Sequence, residues 1–585
     1  VDQTLVTTTP DADGNPQLTA YLTQPTHTEP ATEHTGDQVD RWGEVFDQIY
    51  EAGDQQTEDP TYDISGWISS YTGEPLPAHE MREWVDSVVG RIKSLPHRRV
   101  LEIGCGTGLL LFRIAPDAEL YCGTDVSAVA LRDLQAKLPL LPEGSARVEL
   151  RECPADRFDG FDEDSFDTVV INSVAQYFPD VAYFVDVLTQ AARVVRPGGS
   201  IVIGDVRNLA LQEQFHTSLH LARTPGDADD PAALAAAVAD RVAQDAELVL
   251  DPKLFTAFAA ARPEIDGVSL LAKPSPHRNE LTKYRYDVVL HIRDDAQQPG
   301  TPAAAAGTGT GESEELWDAT PVEQISQRLE RDRPSRVRIA GVEDARLSAD
   351  RTAAGRDAAG PELDPAELAR AVTALGYRAV PALRPDRPGQ LDLVIAPEGG
   401  PLPTTTADAE AAGAGFEAFA NDPADASRRA SLVPELRGHL KHRLPEYMVP
   451  QHFMVLEAWP LNANGKLDRK ALPLPRTGDR KGGTAAYVAP RTALERSVAT
   501  VWADVLGVSR VGVLDNFFDL GGHSLLATRV CARIGEACGA EVPLGDFFQY
   551  PTVAGLAAHI EESGARRERG PAIRRADRSR RRRPG

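Results

Sequence analysis

Residues 100–111 read VLEIGCGTGLLL and residues 121–127 read YCGTDVS, and the fold turns on these two stretches. Val100 to Ile103 is a short apolar run with the character of a buried strand. Gly104, Gly106 and Gly108 follow it, and the chain then turns helical. Glycines let a backbone turn sharply and come close to a ligand with no Cβ in the way. Asp125 lies seventeen residues past Gly108, at the end of a second apolar stretch, Leu120 to Gly123. An acidic residue there can accept hydrogen bonds from both hydroxyls of a ribose. The spacing is E-x-G-x-G-x-G and differs from the dinucleotide pattern G-x-G-x-x-G.

This pattern resembles the first motif of class I methyltransferases, which bind S-adenosylmethionine. The resemblance implies that Gly104, Gly106 and Gly108 pass close to the methionine part of the cofactor. Glu102 either faces its ammonium or orders the glycine turn. CPADRF (153–158) follows the third strand and corresponds to the loop that touches adenine, which points to Ala155 and Asp156. Asn172 and Ser173 end the fourth strand, where open parallel sheets place ligands. The Asn172 amide oxygen can accept a hydrogen bond from an incoming amine. Tyr177 and Phe178 either wall the sulfonium or pack.

Outward from this stretch, residues 36–295 alternate between strand and helix patterns. Helical periodicity covers Asp37–Glu51 and His79–Ser94. Strands are expected at 99–103, 119–124, 147–152, 167–172 and 200–205, with helices near 107–115, 127–137 and 181–195. Such alternation predicts a parallel sheet covered on both faces. RPGGS (196–200) reads as a turn before the fifth strand, and 282–292 as a strand closing the sheet edge. Residues 315–398 read as a small α/β appendage, with strands at 336–342 and 391–397 and a helix from Pro365 to Leu375.

Two further stretches carry polar clusters that an apolar core does not need. Residues 204–223 offer Arg207, Asn208 and His216, and residues 276–290 offer His277, Arg278, Asn279, Glu280 and Tyr286. An ammonium acceptor must lose a proton before it attacks a methyl group. A free α-amino group has a pKa of about 7.7–8.0, so that loss is cheap near neutral pH. His216 or Glu280 can serve as a general base without being obligatory, and each can equally be structural.

Segment 485–563 has amphipathic helices at Thr492–Leu506, Ser524–Cys538, Leu544–Phe548 and Thr552–Glu562, the pattern of a helical bundle. Between polar loop and helix it reads DNFFDLGGHSLLATRV (515–530). A hydroxyl at a helix start is ordinarily a cap, and a helix N-terminus also stabilises an anion. The segment resembles the 4′-phosphopantetheine site of peptidyl carrier domains, which implies attachment at Ser524. Residues 444–472, with NGKLDR, resemble the C-terminal subdomain of amino-acid adenylation domains, which gives Lys466 the role of the adenylation lysine. Residues 6–25 resemble the strand-turn-strand of that same subdomain.

The whole resembles a fragment of a nonribosomal peptide synthetase, with a methyltransferase inserted in the small adenylation subdomain and a carrier domain after it. The expected fold class is multidomain: a Rossmann-like α/β methyltransferase, α+β adenylation pieces and a helical-bundle carrier. The expected boundaries are 1–30 and 430–475 for the adenylation pieces, 36–295 for the methyltransferase and 315–398 for its appendage. A linker (399–429), the carrier (485–563) and a basic tail (564–585) complete them. INSVAQYF, GDVRNL and HRNELTKYRYDVVLH look like inserted N-methyltransferases, which implies methylation of the α-amine of an aminoacyl thioester tethered to the carrier. Side-chain O-methylation and a non-catalytic scaffold are the alternatives. No single residue separates amine from hydroxyl, or names the amino acid. The large adenylation subdomain is missing from the chain, so isolated activation of an amino acid is not expected. That subdomain and a downstream condensation domain are the expected partners.

Bulk properties agree with this reading. The 585 residues are too many for one core, and the net charge of −25 argues against nucleic acid as a partner. Ten arginines between Arg566 and Arg583 read as a linker. Gly/Pro/Ala/Thr-rich joints lie at 296–314, 398–414 and 474–488. No run approaches eighteen apolar residues, so no membrane span is expected. The five cysteines show no metal spacing, no metal site is expected, and the cysteines suit a reducing cytoplasm. The chain opens on Val1 rather than Met, as expected of a piece cut from something longer.

Overall fold

The structure is a computed structural model. It describes residues 3–10, 16–23, 59–64, 66–223, 231–294, 314–355, 358–405, 489–506 and 552–568, with single residues and short runs within 42–50, 413–473 and 511–550. The chain divides into two compact units, residues 30–428 and residues 1–29 with 429–585.

The strands of the larger unit are numbered in chain order. They are β1 Arg99–Ile103, β2 Leu120–Asp125, β3 Arg147–Glu152, β4 Phe166–Asn172, β5 Val195–Arg207, β6 Ile265–Ala272 and β7 Arg285–Ile292. Five more follow: β8 Glu315–Trp317, β9 Val337–Asp344, β10 Glu362–Leu363, β11 Tyr377–Leu383 and β12 Gln390–Pro397. All twelve join one sheet in the order β8-β9-β12-β11-β6-β7-β5-β4-β1-β2-β3, with β10 beside β9. The pairs β2–β3, β1–β2, β1–β4 and β4–β5 are parallel, and β7 runs antiparallel to β5 and β6.

The apolar runs bury both faces of this sheet. Leu101, Ile103, Val169, Ile171, Ile201 and Ile203 enter one core with Phe184, Val187 and Leu188 of the helix Val181–Val194. Their neighbours Val100, Val170 and Val202 enter a second core with Met81, Val85 and Ile92 of the helix Ala78–Lys93. The alternation follows from the two-residue period of a strand. Helix starts are set by side-chain caps: Ser127 Oγ accepts from Ala130 N at 3.0 Å, and Asp180 Oδ1 from Tyr183 N at 2.8 Å. Strand order reverses between β1 and β4, which fixes where a ligand crevice opens.

Two expectations are corrected, and the placement of 315–398 follows them. Residues 282–292 do not close the edge, because Ile265–Ala272 pairs along the far side of β7 and buries it. RPGGS is no free turn: the extended strand begins at Val195 and absorbs the glycines through a register shift, with Gly198 at φ 77°. The strands of the 315–398 segment join the same sheet, since β11 meets β6 at Ala382–Leu271.

In the smaller unit, strands Gln3–Pro10 and Pro16–Thr23 form an antiparallel pair, and His452–Leu456 adds parallel to the second. Helices Ala493–Leu506 and Val553–Glu568 pack around Trp502, Phe517, Val530 and Leu556. Of the expected helix 524–538, only Val530, Cys531, Arg533 and Ile534 are described, and they are helical. Ser524 and the expected helix 544–548 lie outside the described residues. Among the described residues no helix is long and apolar enough to cross a membrane.

Candidate active site

The crevice at the C-terminal ends of β1, β2 and β4 is a cavity of about 350 Å³. The turn after β1 reaches it because Gly104, Gly106 and Gly108 all have positive φ, at 73°, 48° and 83°. A Cβ on Gly104 would stand 2.3 Å from Val174, so only glycine lets this turn lie against the end of β4. Gly108 has a different task. It does not line the cavity, and a Cβ there would strike Leu134 at 2.5 Å, so it admits the packing of the next helix.

Asp125 ends β2, buried at 8% exposure. Its Oδ2 accepts from Gly106 N at 2.8 Å and its Oδ1 from Ser127 N at 2.9 Å. Burial raises its pKa against the lowering by these backbone donors. Glu102 lies beneath the turn, with Oε2 accepting from Tyr121 Oη at 2.7 Å. Burial pushes its carboxyl up to about 8, with Asp125 adding to the effect and the Tyr121 hydroxyl opposing it.

Asn172 ends β4 and lines the cavity, and its Oδ1 is buried with no hydrogen-bond partner. Gln176 Oε1 and Glu280 Oε2 share that condition and also belong to lining residues. The other Glu280 oxygen accepts from Ser70 N at 2.6 Å. Every buried side-chain polar atom of the lining that lacks a partner, among the described residues, is thus an acceptor. A buried acceptor left unpaired costs about 1–3 kcal/mol, which a ligand that donates hydrogen bonds would relieve.

Ser173 follows with φ 57°, and its Oγ donates to Asp205 Oδ2 at 2.8 Å. Asp205 has φ 63° and no exposure, and it also takes the Trp84 indole at 3.2 Å and an Arg285 guanidinium. Two adjacent non-glycine residues in left-handed conformations mark a strained corner at the site. Lys273 and Arg91 neutralise the neighbouring Asp287, which accepts the Asp205 backbone N–H at 2.8 Å.

An aromatic wall faces the glycine turn. Trp42 and Phe46 stand 4.8 and 4.9 Å from Tyr177, centroid to centroid, and Tyr50 stacks beyond Phe46 at 6.0 Å. Aromatic faces attract a cation within about 6 Å. Trp42, Phe46 and Tyr50, which the sequence reading did not single out, are spaced by four on one face of the helix expected at 37–51, and that spacing is the signal that could have found them. Gln176 and Gly204 had no such signal. A Cβ on Gly204 would stand 2.0 Å from Asn172 Oδ1, so Gly204 makes room for that amide.

The structure therefore brings Glu102, Gly104, Gly106, Asp125, Ala155, Asn172, Ser173 and Glu280 around one cavity. Asp156 stays off the lining and binds Tyr183 Oη at 3.1 Å. His216 also stays off it, with Nε2 3.0 Å from Asp245 Oδ2. That carboxylate is shared with Arg207 and Gln212. Burial opposes its ionisation, but His216, Arg207 and Gln212 hold it well below the usual carboxylate range. Lys466, exposed, belongs to the smaller unit.

Comparison with known proteins places the two halves of this picture. Residues 101–201 match a methyltransferase domain, and residues 496–560 match a phosphopantetheine attachment site. Over 570 residues the chain is 38% identical to chondramide synthase cmdD of Chondromyces crocatus, covering 94% of this chain and 14% of that protein. It is 37% identical to the probable non-canonical nonribosomal peptide synthetase CymA of Salinispora arenicola, covering 98% of this chain and 7% of that protein. The chain thus spans less than a sixth of the length of these curated relatives. Among solved structures, a chain of the complex of the phosphopantetheine transferase Sfp with coenzyme A and a peptidyl carrier protein is 45% identical. That match covers 13% of this chain and 99% of the other, with a TM-score of 0.13. Phosphoethanolamine N-methyltransferase 1 of Haemonchus contortus is 12% identical, covering 56% of this chain and 74% of the other, with a TM-score of 0.33.

The chain thus contains a methyltransferase domain followed by a phosphopantetheine carrier domain, and over most of its length it is similar to nonribosomal peptide synthetases. Its cofactors are S-adenosylmethionine and 4′-phosphopantetheine. The glycine cradle, the buried Asp125, the acidic Glu102 and the aromatic wall fit the first of these.

Proposed function

We propose that this chain methylates the α-amine of an aminoacyl thioester held on a phosphopantetheine arm at Ser524, during nonribosomal peptide synthesis. The observation that carries the reading is the set of unpartnered acceptors, Asn172 Oδ1, Gln176 Oε1 and Glu280 Oε2, on one cavity lining. A primary amine brings the donors that these oxygens lack. When bound, S-adenosylmethionine supplies a methyl group already activated on its sulfonium. The chain's part is then alignment. Glu102 and Asp125 hold the cationic and ribose ends, with Gly104, Gly106, Ala155 and Ser173 shaping the space between. Asn172 orients the nitrogen lone pair, and Glu280 takes the proton that the nitrogen sheds. Trp42, Phe46 and Tyr177 exclude water and favour positive charge. Lys466 would serve adenylate formation only with a large adenylation subdomain, and the carrier would hand its product to a condensation domain.

The test is to load the carrier with aminoacyl-phosphopantetheine through a phosphopantetheinyl transferase and add S-adenosylmethionine. The released residue is then fragmented in a mass spectrometer. A methyl on the α-nitrogen is expected, and a methyl on a side-chain oxygen would overturn the reading.

A further inference from the structure

We propose that His79, Glu80 and His277 form a binding site for one divalent transition-metal ion, zinc by its ligand chemistry. The helix Ala78–Lys93 presents His79 and Glu80 in its first turn, and His277 comes from the segment between β6 and β7. One ligand atom from each lies within 4.8 Å of the other two. The two ring nitrogens of His277 stand near different carboxylates. Nε2 stands 3.1 Å from Glu83 Oε2, within ion-pair reach. Nδ1 stands 3.9 Å from Glu80 Oε1. That separation is too long for a hydrogen bond. It is near the roughly 3.3 Å that separates two ligand atoms on a tetrahedral zinc with bonds of about 2.0–2.1 Å. Glu83 then acts as the carboxylate that orients a metal-bound histidine, an arrangement common around zinc. Glu80 is oriented in the same manner, because its other oxygen accepts from Asn279 Nδ2 at 2.6 Å.

Two imidazoles and one carboxylate select zinc or its neighbours over magnesium and calcium, which prefer oxygen alone. The fourth position can be water, since Glu80, Glu83 and His277 line a second cavity of about 220 Å³. Trp84 and Leu281 line both this cavity and the larger one. The ion would tie the start of one helix to the turn that carries Asn279 and Glu280. It would fix the acceptor side of the methyl-transfer cavity without touching a substrate.

The test uses the full chain, stripped with a chelator and titrated with zinc chloride and with cobalt chloride. One equivalent is expected to bind, and the cobalt spectrum should show d–d bands without thiolate charge transfer. A His79→Ala/His277→Ala double variant, checked for folding by circular dichroism, should lose that equivalent. Glu83→Gln removes no ligand, and it should keep the stoichiometry while weakening Kd about 10–100-fold. If the double variant does not fold, the Glu83→Gln measurement decides. No equivalent in the wild type, full retention in a folded double variant, a thiolate-type cobalt spectrum, or an unchanged Kd in Glu83→Gln would each overturn the proposal.

Discussion

Gly204→Ala isolates the role of Asn172 without altering it. Gly204 is buried in β5, and its backbone is not in the left-handed region, so alanine suits it. The added methyl would nevertheless lie 2.0 Å from Asn172 Oδ1 and 3.0 Å from its Cγ. Something must move, and the amide is a terminal group whereas Gly204 is held in the sheet. Losing one well-placed hydrogen bond costs about 0.5–1.5 kcal/mol, and an ångström of misplacement at a reacting centre can cost about 100-fold. The expected loss in kcat/KM for the loaded carrier is therefore about 10–100-fold. Affinity for S-adenosylmethionine, by calorimetry, should change less than about threefold, because Gly204 does not line the cavity. Asn172→Ala should fall as far, and the double variant no further, since both remove one amide from one place. Activity within twofold of wild type, or an additive double variant, would refute the assignment of Asn172 as the aligning group.

Glu102 gives a pH dependence. Its folded-state pKa of about 8 lies above the ordinary 4.5, so the free protein keeps this proton through neutral pH. A cation docking on the carboxylate must expel it, so affinity for S-adenosylmethionine should rise with pH up to about 8 and then flatten. Glu102→Gln should lose that slope in a calorimetric series, and a pH-independent wild type would contradict the contact. By the same linkage the folded state binds more protons than the unfolded one between 4.5 and about 8. Glu102 therefore contributes stability that falls as pH rises through that window, readable as a denaturation midpoint difference from Glu102→Gln. Asp125→Ala should weaken cofactor binding by about 1.5–3 kcal/mol, the range for charged hydrogen bonds, and unchanged binding in a folded variant would remove its ribose role. His216→Ala should lower the melting temperature and leave kcat within about threefold, because its partner is Asp245 rather than the cavity. A large kcat loss at full stability would return His216 to the chemistry. A phosphopantetheinyl transferase should add one arm to the wild type and none to Ser524→Ala, by intact mass.

The methyltransferase core was legible because buried parallel strands and their glycine turn are local patterns. Val100–Ile103, the three glycines and Asp125 are contiguous or nearly so, and each strand's apolar run declares its double burial. Sheet order was harder to read. Nothing within 282–292 says which of its edges is covered, and the partner Ile265–Ala272 reads as an ordinary apolar run. The glycines of RPGGS look like a turn in isolation, but a strand partner can hold them extended. Site residues divided the same way. Asn172 was legible from its place at a strand end. Gly204 was not, because its meaning lies in a clash with a residue on the neighbouring strand. His216 and Glu280 look equivalent in sequence, and only tertiary packing gives one of them to Asp245 and the other to the cavity.

The three-stranded sheet of the smaller unit has a consequence for biosynthesis. Its second strand ends at Thr23, and its third begins at His452, 429 positions later. At about 5–20 residues per second, a ribosome takes roughly 20–90 s to supply that partner. Until then the hairpin is a two-stranded element, marginal in water, with an open hydrogen-bonding edge along 16–23. The intervening unit can reach its own fold during that wait, because all twelve strands of its sheet lie between the two partners. For this stretch of chain, stalled nascent chains ending near residue 440 should then show a protease-resistant methyltransferase and a cleavable hairpin at 3–23. Equal protection of both would mean that the hairpin finds shelter before its third strand exists.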